Sequence, residues 1–127
     1  MHRTERTSAW ERLLGEPIAA VSSVRIDDGS AFRGTVVLTA TRFLAVRRSF
    51  TNRPPRTPGN LEERLRMQFL RSNITEISPS PQQRRGDYDV RYYDGLDGGG
   101  ERKFRIIPGR GTGNLIEQME GDLSDGA

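Results

Sequence analysis

The stretch from Arg33 to Arg48, R-G-T-V-V-L-T-A-T-R-F-L-A-V-R-R, constrains the fold more than any other. It is the densest run of β-branched and aromatic residues in the chain and reads as a tight hairpin. Phe32, Val36 and Leu38 fall on one face of its first strand; Arg33, Thr35, Val37 and Thr39 fall on the other. Such alternation marks a half-buried strand. Thr39, Ala40, Thr41 and Arg42 make the turn, and Phe43 to Arg47 return.

The flanking segments extend the pattern. Ile18 to Ile26 alternates, with Ile18, Ala20, Val24 and Ile26 facing one way and Val21 and Arg25 the other. Asp27-Asp28-Gly29-Ser30 is a turn by composition, since glycine tolerates positive φ and aspartates bond nearby amides. Three strands therefore form a meander. From Ser49 to Gly59 the prolines Pro54, Pro55 and Pro58 forbid a central strand and a helix alike, which predicts an exposed loop. Leu61 to Leu65 adds one helical turn. Arg66 to Leu70 reads as a strand with Met67 and Phe69 on one face; Ser72-Asn73 breaks it, and Ile74 to Ser78 resumes until Pro79. A polar, basic loop runs from Pro81 to Gly86. Asp87 to Tyr93 then sets Tyr88, Val90 and Tyr92 on one face. Past the glycine-rich turn of Asp94 to Gly100, the last strand, Arg102 to Ile107, sets Phe104 and Ile106 against Lys103 and Arg105.

Two short helices bracket the strands. Trp10, Leu13 and Leu14 form a stripe at i, i+3 and i+4, with Thr4 or Ser8 as cap and Gly15 and Pro17 as the stop. It reads as a lid packing Trp10 on a sheet; as a membrane anchor it is too short for strong binding. Leu115, Ile116 and Met119, with Leu123, stripe the C-terminal helix, and Asn114 followed by Glu117 resembles a capping box. A helix this short is stable only with that stripe buried. Seven antiparallel strands and a closing helix predict a mainly β single domain over 1–127, a barrel or sandwich with the helix sealing its open mouth. The core spans about 15–123, with 1–7 and 121–127 flexible.

Composition narrows the chemistry. The 127 residues include no cysteine and a single histidine, His2, near the N-terminus. A thiol dyad or a Ser-His-Asp triad anchored in the fold is therefore implausible, and no enzyme, cofactor or metal is expected. No run approaches the ~18 apolar residues of a membrane span, and the first residues do not read as a signal peptide, so a cytoplasmic protein is the simplest expectation. Lys and Arg total 20 against 17 Asp and Glu, a net charge of +3, and every basic side chain but Lys103 is arginine. Arginine is the better fork for phosphate and carboxylate.

Gly15-Glu16-Pro17-Ile18 ahead of the first strand, the hairpin Gly34-Thr35-Val36-Val37-Leu38-Thr39-Ala40-Thr41-Arg42-Phe43-Leu44, the Ile74-Thr75-Glu76-Ile77 strand and the closing helix from Leu115 to Met119 together resemble the pleckstrin-homology-like superfold. The pattern is most similar to its bacterial, GRAM-like branches and covers about 15–123. The resemblance implies a binding scaffold, used as a protein adaptor, at lipid surfaces or in oligomers. Phosphoinositide-binding members place lysine and arginine around the first hairpin loop; here that loop is Asp27-Asp28-Gly29-Ser30, which repels phosphate.

The strongest candidate surface is the arginine set Arg47, Arg48, Arg53, Arg56, Arg64 and Arg66, with Phe50 as an apolar contact. Converging arginines suit a protein partner or an anionic membrane surface reached peripherally. A nucleic-acid alternative needs Tyr88, Tyr92 or Tyr93 exposed to stack bases. Arg84 and Arg85 form a lesser cluster. Asp87, Asp89, Asp94 and Asp97 lack a calcium-loop signature and read as a solvated turn. Gly109-Arg110-Gly111-Thr112-Gly113-Asn114 follows a strand and opens a helix, the context of a phosphate cradle, but no parallel strand follows it, so it reads as a linker.

Overall fold

The computed structural model describes residues 5–48, 54–79, 86–93, 100–109 and 111–125. Its elements are α1 (Glu5–Leu14), β1 (Ile18–Asp27), β2 (Ala31–Thr39), β3 (Arg42–Arg47), α2 (Pro58–Arg64), β4 (Leu65–Leu70), a 3₁₀ turn (Arg71–Asn73), β5 (Ile74–Pro79), β6 (Tyr88–Tyr93), β7 (Glu101–Ile107) and α3 (Thr112–Asp125). The seven strands form one antiparallel sheet in the order β4-β3-β2-β1-β7-β6-β5. The sheet does not close: β4 and β5, its two ends, share no ladder.

The sheet nonetheless folds over on itself. Phe69 of β4 stacks on Phe43 with ring centroids 4.7 Å apart and on Tyr92 of β6 at 4.1 Å, and Phe104 of β7 meets Tyr92 edge-on at 5.7 Å. These rings, with Val36, Leu38, Val90 and Ile106, fill the inner face. Leu115, Ile116 and Met119 of α3 are buried in the same cluster, with Leu123 packed at its margin, as the helical stripe predicts. β1 pairs with β7 only through Arg25, Ile26 and Asp27, so the rest of that edge of β1 is free to receive the chain entering α3. The approach there is close. A Cβ at Gly109 would collide with the carbonyl oxygen of Ser23, and one at Gly111, whose φ is +80°, would stand 2.8 Å from that of Val21. The glycines are thus a close-packed crossing rather than a linker.

A second apolar cluster lies on the outer face. Trp10 is buried against Val37, Leu44 and Val46, with Leu13, Leu14, Ile18, Val21, Leu61 and Leu65 around it. The lid predicted for α1 is present, with Trp10 packed on Val37, and on the same face of β2 Thr35 and Thr39 are buried as well while Arg33 is exposed.

Several local expectations are corrected. The register slips between Ile18 and Ala20, and this irregularity turns Ile18 to the outer cluster while Ala20 faces the inner one. A second slip, between Ile74 and Glu76, brings both Ile74 and Ile77 to the inner core. α2 starts at Pro58, not Leu61, because the Thr57 hydroxyl caps it by accepting from the Asn60 amide at 3.2 Å and proline suits the first helical position. Ser8 lies inside α1 and caps nothing. Asn114 likewise sits inside α3. The Thr112 hydroxyl makes the entry bonds instead, accepting from the Gly109 amide at 2.8 Å and lying 3.1 Å from the Ser22 hydroxyl. α3 also runs on to Asp125, into the segment expected to fray, because Arg71 holds Asp122 with two bonds of 2.8 and 2.7 Å.

Candidate functional site

The arginine set separates once the strands are in register. Gly34 pairs with Arg47, and the Arg48 amide donates to the Arg33 carbonyl at 3.1 Å, so Arg48 continues the ladder opposite Arg33. Cross-strand partners share a face and successive residues alternate. Arg47 and Arg48 therefore leave β3 on opposite faces. Arg64 donates through Nε to the Arg47 carbonyl at 3.0 Å, and its burial lowers its guanidinium below the ordinary value. Arg66 lies over the Phe32 ring, 4.8 Å from its centroid, a cation–π contact. Arg56 is exposed ahead of α2. Phe50 and Arg53 lie outside the described residues, as do Arg84 and Arg85.

Arg48 gathers two arginines that the sequence-based set omits. Arg25 of β1 stands directly opposite Arg33 of β2, so Arg25, Arg33 and Arg48 form a row across three strands of the outer face. All three are exposed. Together with Ser23, Gly34 and Gly109 they line a cavity of about 290 Å³. Among the described residues no carboxylate lines it. The nearest acids along the chain, Asp27 and Asp28, accept from the turn amides of Gly29 at 3.0 Å and Ser30 at 3.4 Å, as the turn composition predicts. The signal for this row was present in the sequence. Equal steps back from Gly29 along both strands bring Arg25 against Arg33.

The paired arginines lie elsewhere. Arg42 joins Glu16, Arg71 joins Asp122, Arg91 joins Glu76 and Glu101, and Arg105 joins Asp89. Arg25, Arg33, Arg47, Arg48 and Arg66 form no ion pair with any described residue. Like charges directly opposite on neighbouring strands are unfavourable unless something answers them.

The opposite end of the outer face is a closed polar network. Glu16 Oε1 accepts from the Thr39 and Thr41 hydroxyls, each at 2.8 Å, and Oε2 accepts from Arg42 Nε at 2.6 Å. Arg42 also donates to Gln68 and to the Leu14 carbonyl. Burial by itself would raise the Glu16 carboxyl. The bonds from Thr41, Thr39 and Arg42, with the Arg42 charge, outweigh it and hold the carboxyl below its usual range.

The remaining candidates are placed as follows. Tyr88 and Tyr92 pack against the inner core, and Tyr93 alone of the three is exposed, so the stacking surface required of a nucleic-acid platform is not assembled by these rings. Asp89 bonds Arg105, and Asp94 and Asp97 lie outside the described residues. No helix among the described residues is long and apolar enough to cross a membrane. No protein-family model matches this chain, and no curated protein matches it.

Proposed function

We propose that this chain is a non-enzymatic binding module, an adaptor of the pleckstrin-homology-like kind, that docks an acidic partner onto the arginine-bearing end of its sheet. One observation carries this reading. Four arginines elsewhere have carboxylate partners, whereas Arg25, Arg33, Arg47, Arg48 and Arg66, all at one end of β1 to β4, have none among the described residues. A surface left unneutralised in a chain with 17 acidic residues supports docking by charge. The absence of cysteine and the single histidine support a role without catalysis.

An acidic protein surface is favoured over a membrane. Peripheral membrane binding combines charge with inserted apolar side chains. The large apolar side chains exposed among the described residues are Leu70 and Tyr93. Leu70 stands opposite Arg42, at the other end of β4, and Tyr93 lies on the far half of the sheet.

The test is binding of poly-glutamate, and separately of vesicles containing anionic lipid, across a salt series. Poly-glutamate should bind at low salt and release as salt rises, and the triple variant R25E/R33E/R48E should lose that binding while keeping its fold. Unchanged binding by the triple variant would refute this docking face. Vesicle binding without poly-glutamate binding would move the partner from protein to membrane.

A further inference from the structure

We infer that α1 is a displaceable lid, and that the outer-face floor beneath it seats an amphipathic helix of the acidic partner. The apolar stripe of that helix copies Trp10, Leu13 and Leu14, and glutamates flanking the stripe reach Arg33 and Arg48. This rests on the docking reading and deepens it, because it names the element of the partner that docks.

The lid is built to leave on its own. Trp10, Val37, Leu44 and Val46, with Leu13, Leu14, Ile18, Val21, Leu61 and Leu65 around them, share no member with the inner core, so α1 can lift without opening that core. Trp10 is 1% exposed, yet its indole Nε1 donates to no acceptor among the described residues. A buried donor without an acceptor weakens the contact that buries it. The ties of the last turn of α1 are long: Glu11 accepts from the Ile18 amide at 3.2 Å, and the Leu14 carbonyl accepts from Arg42 at 3.4 Å. Gly15, at φ +70°, joins the helix to the stapled Glu16. No atom lies within 4 Å of where a Cβ would stand on it, so the joint has room to turn.

The floor runs directly into the arginines. Val46 stands opposite Thr35. Arg48 follows Val46, and Arg33 precedes Thr35, each by two residues on the same face and about 7 Å along its strand. α1 covers the apolar part of this face and leaves Arg33 and Arg48 exposed. Its carboxylate at Glu11 is turned to Ile18, which pairs with Thr39 at the opposite end of the floor. The lid thus matches the apolar half of the face and not the charged half. A helix with the same stripe at i, i+3 and i+4 and with carboxylates beside it gains from both halves. That difference is what a competitor needs in order to shift the equilibrium away from the closed lid.

The test uses the whole chain, whose single tryptophan makes Trp10 the reporter. The probe is a peptide copying Ser8 to Leu14, with phenylalanine in place of Trp10 and three glutamates added at each end. The control carries glutamines in place of the added glutamates. At low salt the acidic peptide should bind saturably and shift the Trp10 emission to the red as the indole reaches water. It should bind about tenfold tighter than the control, the sum of two or three exposed ion pairs, and R33E/R48E should remove that advantage. L13A loosens the lid and leaves the floor intact, so it should bind the acidic peptide several-fold tighter, with the methyl NMR signals of Leu115 and Met119 unmoved. Binding that leaves the Trp10 emission unchanged would overturn the lid, as would equal binding of the two peptides. Unchanged or weaker binding by L13A, or loss of its core methyl signals, would show that α1 is integral to the fold and overturn it too. If poly-glutamate still binds the arginines in those cases, the docking reading stands; if neither poly-glutamate nor the peptide binds, both readings fall.

Discussion

Arg42 and Arg33 lie on the same outer face of the same two strands, at opposite ends of one apolar patch, and they do opposite things. Arg42 is enclosed by Glu16, Gln68 and the Leu14 carbonyl and is about a quarter exposed. Arg33 is exposed and flanked by Arg25 and Arg48, and it forms no ion pair with a described carboxylate. The first guanidinium ties the end of α1, the link into β1 and β4 to the start of β3, which makes it part of the fold. The second holds nothing, and its neighbours raise its cost. A count of arginines cannot separate these cases. The register can, because it shows which cations have been matched within the chain and which are left for something outside it.

The largest effect expected from this contrast is on stability. R42A removes the charged partner of a partly buried network and leaves Glu16 Oε2 without its donor, and it should cost about 2 kcal/mol. R42K should recover only part of this, since an ammonium cannot bond Glu16, Gln68 and the Leu14 carbonyl together. Urea unfolding measures it as a lower midpoint at unchanged slope. R33A should leave the midpoint in place. If R33A and R42A destabilise equally, the two ends are not different in kind.

Much of the sheet was legible in the residues, and the reasons for the exceptions are specific. Alternation located the seven strands, and the helical stripe named Leu115, Ile116 and Met119 as core. Alternation failed at Ile18 because one slipped residue inverts a strand's faces, and nothing local announces the slip. It also understated β2, whose outer face is buried by a helix distant in sequence. The Arg71–Asp122 pair, 51 residues apart, had no local signal at all. The candidate site was half legible. The long loop drew attention to Arg47 and Arg48, but composition is blind to pairing across strands, and Arg25 and Arg33 emerge only when the hairpin is folded about Gly29.

A smaller effect follows from pH, and it belongs to the closed end alone. The Glu16 carboxyl is held below its ordinary 4.5 by the bonds it accepts and by Arg42, against the opposing pull of burial. A folded-state value below the unfolded one stabilises the fold at pH above 4.5, and that contribution disappears as pH falls through the lower, folded value. E16Q should therefore be less stable than wild type at neutral pH, with the gap closing in acid as the wild-type carboxyl takes up its proton. Unfolding midpoints of the two proteins across an acid series measure it. A gap that stays constant from pH 7 into that range would show that the Glu16 charge does not matter to the staple.

The smallest effect is the most diagnostic of the open end. Replacing Arg33 by threonine removes the like-charge contacts with Arg25 and Arg48 and puts a β-branched residue into an exposed strand position. Both changes favour the sheet, so R33T should raise stability by about 0.5 kcal/mol at low salt. Because the cost is electrostatic and solvent-exposed, the gain should shrink as salt is added. Poly-glutamate should reverse the order, since only the wild-type row gains from an acidic partner that it binds. The decisive comparison is thus the sign of the R33T difference without and with poly-glutamate. A difference that ignores both salt and poly-glutamate would mean that the three arginines do not feel one another, and the row would then be an accident of surface composition rather than a site.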